Sequence, residues 1–259
     1  LKASPPKILI VGAGFLGREI AHQAQAGGWS VFPVVRTEDS AKSLQLRFPQ
    51  AWAADAVSPA FWKDLNGGWS GMVWAMAPSR KSGEGAFREM HRDGASRAAE
   101  WAKGEGVPMV YISSTSVYAE SAGGWVEEGS PLAKDEERAM AMIHAEGETV
   151  RAGGSVLRCA GLYGGERELR DRPDGPERWL NVIHLEDAAR AVGIALRIRG
   201  EIFNVAEDQP LRRGTVGGVW AEESARSRRS KKVSNAKLKK EGWMPIHAAA
   251  VKDSSLPKG

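Results

Sequence analysis

Short apolar runs punctuate the chain at 8–11, 31–35, 72–77, 107–112, 155–159 and 202–205, with stretches of helical apolar spacing between them at roughly 18–25, 40–48, 85–103, 134–151 and 187–197. The runs are apolar at successive positions, which suits strands covered by helices on both faces. Alternation of strand and helix predicts an α/β fold with a doubly wound, mostly parallel sheet of the Rossmann type, joined by right-handed crossovers. In such a sheet the ligand crevice lies beyond the carboxyl ends of the strands, so contact residues are expected just after each run.

The rhythm breaks twice. Residues 164–179 carry Gly, Pro and many charges and read as a loop beside the crevice. After Asn204 a turn at Asp208-Gln209-Pro210 precedes a candidate helix at 213–225 and a basic tail with a stop at Gly242-Trp243-Met244-Pro245. We therefore expect a single Rossmann-type domain over 1–259, with a cofactor part at about 7–164 and 181–206. A small C-terminal substrate lobe is expected at about 165–180 and 207–259.

Composition narrows the class. The 259 residues suffice for one full core, and 42% hydrophobic with 26% charged residues is ordinary for a soluble globular protein. No run reaches the ~18 apolar residues that would span a membrane. The opening Leu1-Lys2-Ala3-Ser4-Pro5-Pro6 has neither an initiating Met nor the apolar stretch of a signal peptide, so it reads as trimmed or processed, and the cytoplasm is the expected location. Cys159, alone in the chain, excludes an internal disulfide and reads as a packed thiol. The formal charge is +4, and Arg226, Arg228, Arg229, Lys231, Lys232, Lys237, Lys239 and Lys240 concentrate positive charge near the C-terminus. Without interleaved aromatic residues this reads as a solvated face, not a nucleic-acid surface. Of ten Trp residues, Trp52, Trp62, Trp69 and Trp74 cluster and are expected to pack.

Candidate chemistry begins with Gly12, Gly14 and Gly17, which follow Ile8-Leu9-Ile10-Val11 and open a helix at Arg18-Glu19-Ile20-Ala21. In a G-x-G-x-x-G turn the first glycine permits the tight turn and the second lets a pyrophosphate approach bare backbone. The third lets helix pack on strand. The run at 31–35 ends in Arg36-Thr37, where a dinucleotide binder places its ribose-discriminating residue. A guanidinium there pairs with a 2′-phosphate, so NADP(H) is preferred; Glu38 and Asp39 keep NAD(H) open. Asp55, after Ala53-Ala54, is placed to meet an adenine amino group, and Ala75 and Ala77 leave room for a cofactor to cross a strand end. Val110 to Tyr118 ends in the hydroxyl cluster Ser113-Ser114-Thr115-Ser116, suited to a substrate carbonyl or hydroxyl.

Five ordered segments then coincide with one family. The turn Val11-Gly12-Ala13-Gly14-Phe15-Leu16-Gly17, the strand Ile112-Ser113-Ser114-Thr115-Ser116-Val117-Tyr118 and the run Leu157-Arg158-Cys159-Ala160-Gly161-Leu162-Tyr163-Gly164 are three of them. Asn181-Val182-Ile183-His184-Leu185-Glu186-Asp187-Ala188-Ala189 and Phe203-Asn204-Val205-Ala206 complete the set. Together they resemble the extended and atypical branch of the short-chain dehydrogenase/reductase superfamily, the NAD-dependent epimerase/dehydratase-like proteins, over about residues 7–245. The resemblance implies that Phe15, Leu16 and Ser113 join the cofactor site and that Ser114 occupies the catalytic Ser/Thr position. It places Tyr163 and Asn181 near substrate, with His184 and Asp187 supporting the crevice; Thr115 belongs to the same substrate edge. Tyr118 and Tyr163 are candidates for catalysis and equally consistent with packing. Relatives often dimerise through helices flanking the active-site strand, so a homodimer is a candidate assembly.

One departure matters more than these matches. The superfamily's proton relay is Tyr-x-x-x-Lys on the helix after the serine; counted back from Glu146, those positions hold Arg138 and Met142. Arg138 cannot shuttle protons near neutral pH, although it suits a substrate carboxylate or phosphate. No tyrosine lies between Tyr118 and Tyr163, which leaves Tyr118, Tyr163, His144, His184 or water as proton source. Arg138, Arg158, Arg167, Arg170 and Arg172 are candidates to make the crevice and its loop positive, with ordinary surface charge the alternative account of most of them. The five histidines, His22, His91, His144, His184 and His247, are dispersed without ligand spacing, and Ser114 lacks a nucleophile elbow, so neither a metal site nor Ser-His-Asp hydrolysis is expected. Two functions fit. One is an NAD(P)-binding oxidoreductase or epimerase/dehydratase-like enzyme for a small polar substrate, anionic as one option. The other is a non-catalytic NADP(H)-binding sensor.

Overall fold

The computed structural model describes residues 4–65, 67–77, 83–169, 178–212 and 230–249. Its strands are β1 (Lys7–Val11), β2 (Ser30–Val35), β3 (Trp52–Ala53), β4 (Gly71–Trp74), β5 (Met109–Ser114), β6 (Trp125–Val126), β7 (Ser155–Cys159), β8 (Gly161–Tyr163), β9 (Trp179–Leu180), β10 (Val182–His184), β11 (Ile202–Val205), β12 (Leu211–Arg212) and β13 (Lys232–Val233). The helices are α1 (Phe15–Ala26), α2 (Glu38–Gln45), α3 (Pro59–Lys63), α4 (Glu84–Arg88), α5 (Ala95–Glu105), α6 (Glu137–Arg151), α7 (Leu185–Ala195) and α8 (Ala236–Lys240).

Seven strands form one sheet in the order β11-β7-β5-β4-β1-β2-β3, with every neighbouring pair parallel. The chain runs outward from β1 to β3, then returns to build the other half from β4, so the topological switch point lies between β1 and β4. Both faces are buried in alternation: Ile8 and Ile10 enter one apolar cluster, Leu9 and Val11 the other. That two-sided burial is why these strands read as unbroken apolar runs. Ser114 lies opposite Cys159, and Val205 also lies opposite Cys159, so the carboxyl ends of β5, β7 and β11 are level.

Three boundaries differ from the sequence reading. β4 stops at Trp74, leaving Ala75, Met76 and Ala77 outside the strand. β5 starts later, at Met109, because Gly106 turns left-handed at φ 68° and Val107 N–H closes onto Ala102 before Pro108, which has no N–H to give. The segment expected as one helix at 85–103 contains a π turn, Glu89–Gly94, between α4 and α5. That turn seats Gly94 where a Cβ would lie 2.9 Å from the Trp74 ring, so the wider coil brings backbone close to a buried indole.

The pairs β8 with β10, β9 with β12 and β6 with β13 lie outside the central sheet and were not legible, each strand being two or three residues long. Val182 and Leu211 form a small apolar cluster there with Tyr163, Leu169, Leu180 and Ala249. The candidate helix at 213–225 and Pro78, Arg170, Arg172, Arg226, Arg228 and Arg229 lie outside the described residues. Of the basic cluster, Lys237 pairs with Glu201 at 2.7 Å, Lys239 with Asp208 at 2.9 Å, and Lys231 is buried. Cys159 is buried, and burial pushes its thiol up to about 12. Trp62 and Trp74 are core residues, and Trp52 and Trp69, half-buried, pack against the same cluster while lining an open groove of about 780 Å³ beside the edge strand β3. Among the described residues no helix is long and apolar enough to cross a membrane.

Candidate active site

The three glycines of the first turn do three different things. Gly12 has φ 95°, and a Cβ there would lie 2.6 Å from Met76 N and Cα, so only glycine fits between β1 and the end of β4. A Cβ on Gly17 would come within 2.2 Å of Gly12 O, which fixes how closely α1 packs on its own turn. Gly14 is the exception: a Cβ there meets nothing within 4 Å. The middle glycine therefore faces open space at the switch point, and the fold does not require its missing side chain. Gly14 gives α1 no side-chain cap, and the first turn, which includes Phe15, Leu16 and Gly17, holds no acidic residue. The opening N–H groups of a helix have no intrahelical partners, so this end suits an anion.

The neighbouring strand ends carry the other expected cofactor residues. Arg36 is exposed directly after β2. Thr37 caps α2, accepting from Ser40 N–H at 3.3 Å and hydrogen bonded to the Ser40 hydroxyl at 2.8 Å. Asp55 uses Oδ1 to accept Val57 N–H at 3.1 Å in a turn beyond β3. Ala75 N–H donates to Val11 O at 2.8 Å, which ties the end of β4 to β1, and Ala77 is exposed.

At the end of β5 the two serines diverge. Ser113 donates to Glu146 Oε1 at 2.6 Å inside the core. Ser114 is half-buried, and its hydroxyl accepts Ser116 N–H at 3.1 Å, capping the single 3-10 turn Thr115–Val117. Thr115 is buried. Tyr118 is fully buried: its hydroxyl donates to Asn204 Oδ1 at 2.6 Å and accepts from Arg158 Nη1 at 3.0 Å. Burial raises its pKa despite the arginine. The hydroxyl of Tyr118 thus belongs to the core network and stands apart from Ser114's edge. Arg158, expected to charge the crevice, is likewise buried, bound to both carboxylate oxygens of Glu146.

On α6, Arg138 Nε donates to Glu84 at 2.9 Å and its guanidinium lies over Phe87, on the side facing α4; Met142 is buried. Asn181 spends both ends of its amide on the segment around β13, donating to Lys231 O at 2.8 Å and accepting Val233 N–H at 2.8 Å. His184 caps α7, with Nδ1 accepting Glu186 N–H at 3.3 Å, and its ring stacks on His247 at 3.8 Å between centroids. Burial and the neighbouring His247 lower the His184 pKa. Asp187, fully buried, accepts Ile246 and His247 N–H and pairs with Arg190 at 2.7 Å.

Two residues that sequence reasoning missed complete this edge. Glu207 follows β11 by two residues and receives the Tyr163 hydroxyl on Oε1, while Oε2 accepts Ala249 N–H at 3.0 Å. The rule that contacts fall just past each strand end applies to Glu207 as it does to Ser114 and was a usable signal. His247 had none, since it joins Asp187 across a separation of 60 residues. Folding also brings His184, Glu186 and His247 within 4.8 Å of one another, so these histidines are dispersed only in sequence. The two imidazoles stack face to face, with 22° between planes. Arg167 lies over the Phe15 ring at 4.2 Å, joining the loop after Tyr163 to the glycine turn.

No family model matches the chain. Protein YeeZ of Escherichia coli K12 is 27% identical over 219 residues, 77% of each chain. Among solved structures, UDP-glucose 4-epimerase of Thermotoga maritima, in a complex with UDP-glucose, has a TM-score of 0.76 at 15% identity and covers 93% of this chain and 94% of its own. The Bordetella bronchiseptica enzyme WbmG, in a complex with NAD, has a TM-score of 0.77 at 14% identity over 95% of this chain and 91% of its own. This chain shares their fold. The doubly wound sheet expected from the sequence is therefore the Rossmann arrangement of these two enzymes.

Proposed function

We propose that the chain is an NAD(P)-dependent oxidoreductase or epimerase/dehydratase-like enzyme acting on a small polar substrate, with NADP(H) preferred. Gly14 carries this reading: it is the glycine of the turn whose missing side chain the fold does not need, and it opens at the switch point onto an uncapped helix start. Gly12, Gly14, Phe15, Leu16 and Gly17 would hold the pyrophosphate, Arg36 and Thr37 the ribose 2′-phosphate, and Asp55 the adenine. Ala75 and Ala77 leave the strand end open, and Ser113, its hydroxyl spent on Glu146, offers main chain only. When bound, the dinucleotide supplies hydride transfer. The chain's own part is to orient the substrate oxygen at Ser114 and to manage its proton. NAD in the Bordetella enzyme and UDP-glucose in the Thermotoga epimerase support the cofactor class and a small, polar, anionic substrate. The residues about 165–180 and 207–259 are assigned to the substrate lobe.

Parallel calorimetric titration of cofactor-free protein with NADP(H) and NAD(H) tests the reading. NADP-selective binding that Arg36→Ala weakens much more than NAD binding supports it. Equal losses for the two would misplace the discriminating residue, and binding of neither would overturn the site.

A non-catalytic NADP(H) sensor is the second reading, favoured by one observation. Arg138 is held by Glu84 and Met142 is buried, so α6 brings no proton relay to the crevice. A sensor must bind its partner differently in the two redox states of the cofactor, and identical partner affinity in both would rule it out.

A further inference from the structure

We propose that Tyr163 and Glu207 form the proton-transfer pair of this site, Tyr163 touching the reacting oxygen of the substrate and Glu207 exchanging the proton behind it. The proposal rests on the enzyme reading above and supplies the acid–base group that α6 lacks.

Among the described residues, elimination leaves little else. Tyr118 is sealed in the core between Arg158 and Asn204. His144 is substantially exposed on α6 beside Glu148, at 3.8 Å. His184 commits Nδ1 to the α7 backbone and one ring face to His247. Tyr163 ends β8, four residues past β7, and Glu207 follows β11 by two; β7 and β11 end level with Ser114 at the edge of the central sheet. Their order suits a relay: Tyr163 is partly exposed, and Glu207, 7% exposed, lies behind it. Both ends are fixed. The Tyr163 ring packs edge-on against His184 at 5.2 Å, and Glu207 holds the phenol on one oxygen and Ala249 N–H on the other.

The charged and titratable groups around the pair are Asp187 on α7, His247 in the C-terminal segment and His184 at the end of β10. Burial, followed by Glu207 and Asp187, raises the Tyr163 pKa, so the phenol stays protonated until a base takes its proton. Burial raises the Glu207 pKa against the Tyr163 and Ala249 hydrogen bonds, which moves the carboxyl toward the range where it can both give and accept. In the oxidative direction the substrate O–H bond breaks, its proton bonds to Tyr163 Oη, and the proton already on Oη passes to Glu207 Oε1. The O–H electron pair becomes the second bond of the new carbonyl, and a bound nicotinamide dinucleotide would accept the C–H pair as hydride. The substrate has lost two electrons and two hydrogens, one as hydride and one now on Glu207. Reduction runs the same steps backward.

The test combines NADPH oxidation by 2,3-butanedione and methylglyoxal across pH with infrared titration of the protein alone. Tyr163→Phe is expected to lower kcat about 10²-fold or more with KM and NADPH affinity within a few-fold. Glu207→Gln should remove an ionisation from the kcat–pH profile, and Glu207→Asp should restore it in part. In the infrared, the protonated-carboxyl stretch that persists above the ordinary carboxylate range should vanish in Glu207→Gln. Circular dichroism checks that each variant folds, and Tyr163→Phe, which removes one oxygen, stands alone if Glu207→Gln does not fold. Wild-type turnover that both variants leave unchanged overturns the pair and spares the enzyme reading. Wild-type protein that binds NADPH without reducing either dicarbonyl overturns both.

Discussion

Glu146 on α6 and Arg158 in β7 form a buried ion pair in which Nη2 meets Oε2 at 2.6 Å and Nε reaches both carboxylate oxygens at 3.0 and 3.2 Å. Neighbouring groups extend the network. Ser113 donates to Oε1, and Arg158 Nη1 donates to Tyr118 and to Glu128 O at 3.0 Å each. The network joins the strand that carries Ser114 to the helix and strand that flank it. Both side chains are out of water, at 3% and 2% exposure, so neither charge is tolerable without the other. Glu146→Ala is expected to cost about 3–5 kcal/mol in urea unfolding. Replacing both by apolar residues of similar volume should cost much less. Equal losses for the single and double variants would show that packing, not charge pairing, holds the network.

Gly14 and Gly17 separate fold from binding. Gly17→Ala drives a Cβ to 2.2 Å from a backbone oxygen, so the turn must shift and stability should fall by more than about 2 kcal/mol. Gly14→Ala meets nothing and should cost about 1 kcal/mol or less as a poorer helix cap. It should nevertheless weaken NADP(H) binding at least tenfold, read by calorimetry. Unchanged affinity in Gly14→Ala would mean that no phosphate approaches this backbone.

The strand–helix alternation was legible because both faces of each central strand are buried, which writes Ile8-Leu9-Ile10-Val11 as an unbroken apolar run. The glycine turn was legible because its backbone demands are local. Long-range pairings were not. Arg158 looks like a crevice cation in sequence, and only its partner twelve residues away on α6 shows it to be neutralised in the core. Asn181 likewise reads as a substrate ligand, yet Lys231 and Val233 occupy its amide from a separation of 50 residues and more. The short strands β6, β8 and β13 are too brief to leave a periodic trace.

Ser114 caps the 3-10 turn through its side-chain oxygen, which leaves its hydroxyl hydrogen available to a substrate oxygen. Ser114→Ala is expected to depress kcat about 10²-fold on a small dicarbonyl while leaving NADPH affinity within twofold. Stability should fall by about 1 kcal/mol from the lost cap. A parallel loss of cofactor affinity would place the residue in cofactor binding and remove it from the chemistry.

His91, in the π turn, is buried with Nδ1 2.8 Å from the Tyr111 hydroxyl, and burial lowers its pKa from 6.5 to about 4. The proton binds the unfolded chain first: between pH 6.5 and about 4 the unfolded His91 is charged while the folded one is neutral. Stability is therefore complete above pH 6.5 and is lost as pH falls through this window, by about 3 kcal/mol at its lower end. His91→Asn, whose amide can either accept from or donate to the Tyr111 hydroxyl, should flatten that loss. Urea midpoints for both proteins at several pH values between 7 and 4 give the comparison, with carboxylate titrations common to both cancelling in the difference. A constant gap between the two curves would mean that His91 stays neutral in the unfolded chain as well, or is charged in both states, and that its burial exerts no hold on the acid stability of the fold.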